Sequence, residues 1–341
     1  MHTTTSSLLL LILLYTLGAF QRNGKWVEET ALWADTVRKA PRNPRAHFGL
    51  GYSYLTRGLS QKAIEELTMS IELNPAYAEA YCQLGTAYKK EGQYQDALKA
   101  FADSLRYHPN SWNTYYNLAN TYQQLGRYDE AIEGYKKSLA LNPTCADAHN
   151  NLGTVYAQQG SYELAIEHFV QAQQRNQEIY QVSLNLAKAY LKMGRPANAI
   201  EEMETLVQRY PTLSSAYYLL GNAYYGKGEL DHALTSYERT LILEPEHADA
   251  YNNLGCCYYR RGMYQRALEN FQHCLTLSPR HPRAHFNLSL LYRQKLGDEK
   301  KSVHHLEQAL KVNPALVHAD SRGEVCIANS VLRFINSVTN L

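Results

Sequence analysis

The sequence has almost no net charge: 34 basic side chains stand against 32 acidic ones over 341 residues, a formal +2. Such a balance exerts no strong pull on a polyanion, and no basic stripe of the kind nucleic-acid binding needs stands out. Phosphate-loop and catalytic motifs are missing as well. There is no GxxxxGK, no GxGxxG after a strand, no HExxH and no GxSxG, so nucleotide cradling, zinc proteolysis and the nucleophile elbow lack their residues. His304-His305 are adjacent, whereas chelation from one helix face wants i and i+4. Glu65-Glu66 and Glu201-Glu202 read as solvated faces of helices. The six cysteines include no CxxC and form no framework; Cys257 and Cys274 occupy places where small residues stand elsewhere, as buried small residues do. Unpaired cysteines lean towards a reducing compartment. No catalytic residue, metal, cofactor, nucleic acid or small-molecule substrate is expected.

What is present is a period of 34 residues. Leucine recurs at 50, 84, 118, 152, 186, 220, 254 and 288, and tyrosine at 54, 88, 122, 156, 190, 224, 258 and 292. Alanine recurs from Ala63 to Ala267 in the same step. Prolines close most units, from Pro75 to Pro279, with Pro314 displaced by a one-residue insertion near Leu296-Gly297. Within one unit Tyr251, Leu254 and Tyr258 fall at i, i+3 and i+7, one face of a helix. Gly262 suits a turn with positive φ, and Pro279 cannot continue a helix. The excess of tyrosine, 28 against 7 phenylalanines, follows from the repeat. A helix–turn–helix unit of this size cannot bury its apolar face alone, so at least three must stack.

The order aromatic, Leu-Gly, Tyr, Gly, Ala, Phe, Pro between Ala248 and His281 resembles the tetratricopeptide repeat (TPR) family over most of the chain. The expected fold is all-α, a right-handed α-solenoid of helix–turn–helix TPR units. Its parts would be an apolar segment (1–21), a half-repeat helix (22–43), eight repeats (44–315) and a C-terminal capping helix (316–341). The resemblance implies a non-catalytic scaffold that binds a protein or extended peptide in its concave groove. The chaperone-tail receptors of the family carry lysine at the fifth place of a repeat. Here that place holds Phe48, Cys82, Tyr116, Asn150, Leu184, Tyr218, Asn252 and Phe286, which disfavours that use.

The residue before the repeat leucine is Asn117, Asn151, Asn185, Asn253 and Asn287, with Gln83 related and Gly49 and Leu219 breaking the series. An amide offers a donor and an acceptor, enough to pair a peptide unit whatever its side chain. In arrays similar to the TPR part of O-GlcNAc transferase such asparagines form a ladder that holds an extended peptide. Tyr116, Asn120, Asn150, Lys188, Tyr218, Asn222, Asn252 and Arg260 would face the same groove. The rival reading is structural, each Asn bonding a neighbouring helix or water.

Residues 8–20 are nearly all apolar and span about 20 Å as a helix, or roughly 27 Å with the preceding Ser/Thr residues, against a core of ~30 Å. A retained membrane helix is favoured; a cleaved signal, for which MHTTTSS is a poor basic start, and a buried helix stay open. Past this segment, Trp26, Thr30, Trp33 and Val37 share a helical face. Arg22-Asn23, Trp26, Glu29, Leu32-Trp33, Asp35, Pro41, Asn43 and Arg45 are similar to the junction where membrane proteins resembling O-mannosyltransferases pass into extracytoplasmic TPR tails. That resemblance implies an accessory or detached tail presenting polypeptide to a membrane O-glycosyltransferase, in a compartment at odds with the cysteines. Two departures mark the middle: Gln177 stands for a stop proline, and Ser183 for an aromatic or His. Unbroken stacking with a small change of pitch is expected there, a hinge being the alternative.

Overall fold

A computed structural model describes residues 29–176 and 178–314, and every regular element in them is helical. The chain divides into two compact units, one ending at Gly160 and the other starting at Ser161. The first contains α1 (29–39), α2 (Pro44–Thr56), α3 (Ser60–Leu73), α4 (Ala78–Lys90), α5 (Tyr94–Tyr107), α6 (Trp112–Gln124), α7 (Tyr128–Leu141) and α8 (Ala146–Gln158). The second contains α9 (Tyr162–Arg175), α10 (Tyr180–Lys192), α11 (Pro196–Arg209), α12 (Ser214–Lys227), α13 (Leu230–Leu243), α14 (Ala248–Arg260), α15 (Tyr264–Leu277), α16 (Pro282–Leu291) and α17 (Glu299–Val312). Segments 1–21 and 316–341, Trp26 and Gln177 lie outside the described residues. Among the described residues no helix is long and apolar enough to cross a membrane.

The repeat residues act as the periodicity predicts. The turn between paired helices is closed by a glycine at positive φ, such as Gly58 at 75° and Gly262 at 76°. The N–H one residue further donates to the repeat tyrosine's carbonyl, Leu59 to Tyr54 and Met263 to Tyr258, each at 2.9 Å. This six-to-one bond satisfies a carbonyl that the helix end would otherwise orphan. The paired helices meet at van der Waals distance through the glycine after the repeat leucine. A Cβ on Gly255 would stand 2.6 Å from the Phe271 ring. In α6 that glycine is Ala119, and the space is returned by the facing helix, where a Cβ on Gly134 would come 2.8 Å from the Ala119 methyl.

Second helices are tied to the starts of first helices by buried hydroxyls. Ser70 Oγ donates to the Pro44 carbonyl and Ser104 Oγ to that of Ala78, both at 2.8 Å, and Ser138 Oγ to that of Trp112 at 2.9 Å. Cys274 occupies the same place in α15 and is fully buried. α1 packs on α2: the Trp33 ring fills the space beside Gly49, and Thr30 Oγ1 bonds Ser53 Oγ.

Two irregularities have local causes. α9 ends at Arg175 although no proline follows in register, because Asn176 Oδ1 accepts the N–H of Glu178 at 3.0 Å and bends the chain. Asn74 and Asn142 make the same turn ahead of Pro75 and Pro143. α9 and α10 pack on one another across this segment, and Gln173 Nε2 reaches Ser183 Oγ at 3.2 Å. The extra residue of the last repeat is absorbed by a π-helical turn, Tyr292–Leu296, ahead of Gly297, which lodges one more residue than an α turn without breaking the helix.

Candidate functional site

First helices adjoin one another within each unit: α2, α4, α6 and α8 in the first, α10, α12, α14 and α16 in the second. The face they form carries the asparagines. Their amides are not idle. In the first unit Asn151 Nδ2 donates to Tyr116 OH at 3.2 Å and to Asn120 Oδ1 at 2.9 Å, both one repeat earlier. The hydroxyl of Tyr135, on α7, lies 2.5 Å from Asn120 Oδ1 and 2.7 Å from Gln123 Oε1. Asn150 Nδ2 closes the set on Asn151 Oδ1 at 3.4 Å.

The second unit holds the same set 102 residues later. Asn253 Nδ2 donates to Tyr218 OH at 3.2 Å and to Asn222 Oδ1 at 2.8 Å. Tyr237 OH donates to Asn222 Oδ1 at 2.8 Å, and Asn252 Nδ2 to Asn253 Oδ1 at 3.0 Å. Burial pushes the hydroxyls of Tyr116, Tyr135, Tyr218 and Tyr237 above the usual phenol range, so all four stay protonated donors at neutral pH.

The structural rival anticipated for the ladder is therefore present at Asn151 and Asn253, whose amide hydrogens are spent across the repeat boundary. The network also polarises its neighbours. With two donors on each Oδ1, the amides of Asn120 and Asn222 are held in one orientation, in which Nδ2 remains the donor. The other ladder members differ. Asn117 Nδ2 donates to Asn113 Oδ1 at 3.2 Å, and its own Oδ1 accepts Lys89 Nζ at 3.4 Å. Asn185 Oδ1 accepts Gln181 Nε2 at 3.1 Å. Asn287, 2% exposed, donates to Asn252 Oδ1 at 2.9 Å and to Cys256 Sγ at 3.4 Å, while its Oδ1 has no protein partner. It is buried inside α16.

Sequence reasoning missed Tyr135 and Tyr237, though they carry a readable signal. The same place on other second helices holds Leu67, Phe101, Phe169, Met203 and Phe271, all buried. Tyrosine appears only where the facing first helix supplies an asparagine, because a buried hydroxyl needs an acceptor. Lys89 and Gln123 were also missed; with Lys90, Tyr94, Asn120, Gln124 and Asn151 they line a polar recess of about 480 Å³.

The cysteines need one correction. Cys82, Cys145, Cys257 and Cys274 are free thiols, but Cys256 is disulfide-bonded; Cys326 lies outside the described residues. Burial pushes the thiols of Cys257 and Cys274 up to about 12, where they are inert packing groups. Among the described residues no group of three or more His, Cys, Asp or Glu could hold a metal.

Family models described as tetratricopeptide repeat or TPR repeat match residues 19–78, 67–99, 100–133, 120–160, 146–178, 184–239, 220–291 and 282–316. The chain is a tetratricopeptide repeat protein. No catalytic family matches, and no curated protein does. Among solved structures this TPR chain is similar to the APC/C hetero-tetramer Cut9–Hcn1, at 18% identity and TM-score 0.55, covering 88% of this chain and 57% of that one. A tetratricopeptide repeat protein from Parabacteroides merdae gives 19% identity and TM-score 0.54, covering 78% and 98%. YrrB, a TPR protein with an unusual peptide-binding site, gives 25% and 0.48, covering 55% and 96%. The first two likenesses are of fold.

Proposed function

We propose that this TPR protein is a non-catalytic scaffold whose first-helix faces bind an extended polypeptide segment. The observation that carries the reading is the pair of networks around Asn120 and Asn222. Each fixes an asparagine by two donors to its oxygen, and leaves Nδ2 pre-set to donate to a peptide carbonyl. A donor already held in place loses little freedom on binding. Asn117, Asn151, Asn185, Asn253 and Asn287, with Tyr116, Asn150, Tyr218 and Asn252, supply or support the remaining polar contacts. Asn151 and Asn253 engage the segment through Oδ1, their amide hydrogens being committed.

The test is a short random-peptide library panned on the full-length chain, followed by affinities of the enriched peptides for wild type and for the pair Asn120→Asp, Asn222→Asp. Aspartate keeps the oxygens that accept from tyrosine and asparagine but removes the Nδ2 donor. Wild type should enrich peptides, and the paired variant should lose them with its melting temperature nearly unchanged. Equal affinity in both would remove these amides from the site.

The finer placing in this proposal is attachment to a membrane through segment 1–21, with the repeats presenting polypeptide to an O-glycosyltransferase on the extracytoplasmic side. It is supported by the junction residues from Arg22 to Arg45. Co-purification of the full-length chain with such an enzyme from membranes, and accessibility of an introduced tag from outside, would test it. A tag reached only from the cytoplasmic side would end it.

A further inference from the structure

Lys89 stands in the last turn of α4, half-buried, and lines the polar recess of the first unit without an acid beside it. Its protein partner is a neutral amide oxygen, Asn117 Oδ1, at 3.4 Å. Desolvation holds its pKa below the usual lysine range, and no carboxylate is among the groups that shift it. Lys90, also lining the recess, donates to the Leu55 carbonyl at 3.1 Å and likewise meets no carboxylate. A partly desolvated ammonium is normally paired with an anion in a folded protein. Here none of the residues lining the recess supplies that anion.

The rest of the recess is donor-rich. Asn120 Oδ1 is saturated by Asn151 and Tyr135, so Asn120 can offer only N–H. Gln123, Gln124 and Tyr94 complete the lining. The twelfth place of a repeat, where Lys89 stands, is Leu191 at the same point of the second unit, packed against an apolar cluster. The second network thus repeats the amides and tyrosines without this ammonium.

We propose that the recess formed by Lys89, Asn120, Gln123 and Gln124 receives the carboxylate of an acidic residue in the bound peptide, so that the first unit selects for Asp or Glu at one register position. The proposal rests on the peptide-binding reading above. The carboxylate would take a charge-assisted hydrogen bond from Lys89 Nζ and a second from Asn120 Nδ2, a geometry worth more than neutral pairing. The lining holds no acid to repel it.

The experiment pans the same library on full-length wild type, Lys89→Met and Lys89→Arg, and measures enriched peptides by fluorescence anisotropy. Circular dichroism first confirms that the variants keep their helicity. Peptides from wild type should share an acidic residue at a fixed position, and Lys89→Met should bind them at least about tenfold more weakly. Exchanging that residue for its amide should cost wild type the same factor and Lys89→Met almost nothing. Lys89→Arg should retain the preference. Each selected peptide is also made with a free and an amidated C-terminus; sensitivity to that change alone would assign the recess to a chain end and overturn the side-chain assignment. Enriched peptides without a shared acid, or an acid preference unchanged in Lys89→Met, would overturn the inference and leave the scaffold reading intact. If no peptide is enriched on any of the three proteins, the scaffold reading fails and this one with it.

Discussion

The Tyr237 hydroxyl, on a ring only 1% exposed, donates to Asn222 Oδ1 at 2.8 Å, and the same oxygen takes a second bond from Asn253 of the next repeat. One carbonyl oxygen therefore joins the two helices of a repeat to the first helix of its neighbour.

Replacing Tyr237 by Phe should keep the packing, since Phe271 occupies the equivalent place, and should cost about 1 kcal/mol for the lost hydrogen bond. Denaturant unfolding measures it. In the background Asn222→Leu the same replacement should cost much less, as the hydroxyl then lacks its acceptor; equal costs in both backgrounds would disconnect the pair.

Gly255→Ala tests the close approach of α14 and α15. Its new methyl would overlap the Phe271 ring, and the strain should outweigh the gain in helix propensity, for a net loss of about 1–2 kcal/mol. Adding Phe271→Leu should recover part of the loss. An alanine variant as stable as wild type would mean that the helices can separate freely.

The last repeat should be the acid-sensitive one. His305 lies with Nδ1 2.9 Å from His285 Nδ1, beside His304 and Lys301, and burial with these neighbours lowers its pKa from 6.5 to about 4. A group depressed in the folded state supports folding above its unfolded pKa, and that support disappears as pH falls through the folded value. Stability should therefore drop between pH 6.5 and about 4. In His305→Gln the drop over this window should shrink, which amide exchange in α16 and α17 against pH would show.

Thiol chemistry should separate the cysteines. Cys257 and Cys274, fully buried with thiols raised to about 12, should resist iodoacetamide at pH 8 in the folded protein, while half-buried Cys145 reacts. Mass spectrometry of the alkylated peptides reports the order. Prompt labelling of Cys257 would contradict its burial.

The register of the fold was legible because leucine, tyrosine, glycine and proline each have one steric duty and recur at 34. The end of α9 was less so, since Asn176 takes over the stop from a missing proline through a local turn that looks unremarkable in a polar stretch. Spacing puts the asparagines on first helices, yet it says nothing about which atoms of an amide are already bonded. Asn151 meets partners 35 and 31 residues away, distances that become contacts only after repeats stack. The recess at Lys89 was invisible for the same reason: a lysine in sequence does not disclose whether an acid reaches it.

The networks at Asn120 and Asn222 also bear on how such an array can be cut and recombined. Each binds α6, α7 and α8, or α12, α13 and α14, into a piece of three helices rather than two. A graft or deletion of one 34-residue cassette beginning at Ala146 or Ala248 would sever Asn151 or Asn253 from its partners and strand a buried tyrosine's acceptor half-satisfied. A boundary at Ala78 severs neither network, and one at Pro282 cuts only the bond from Asn287 to Asn252. Evolution and protein engineering alike should find the permissible seams of this chain there, with the three-helix piece inherited whole.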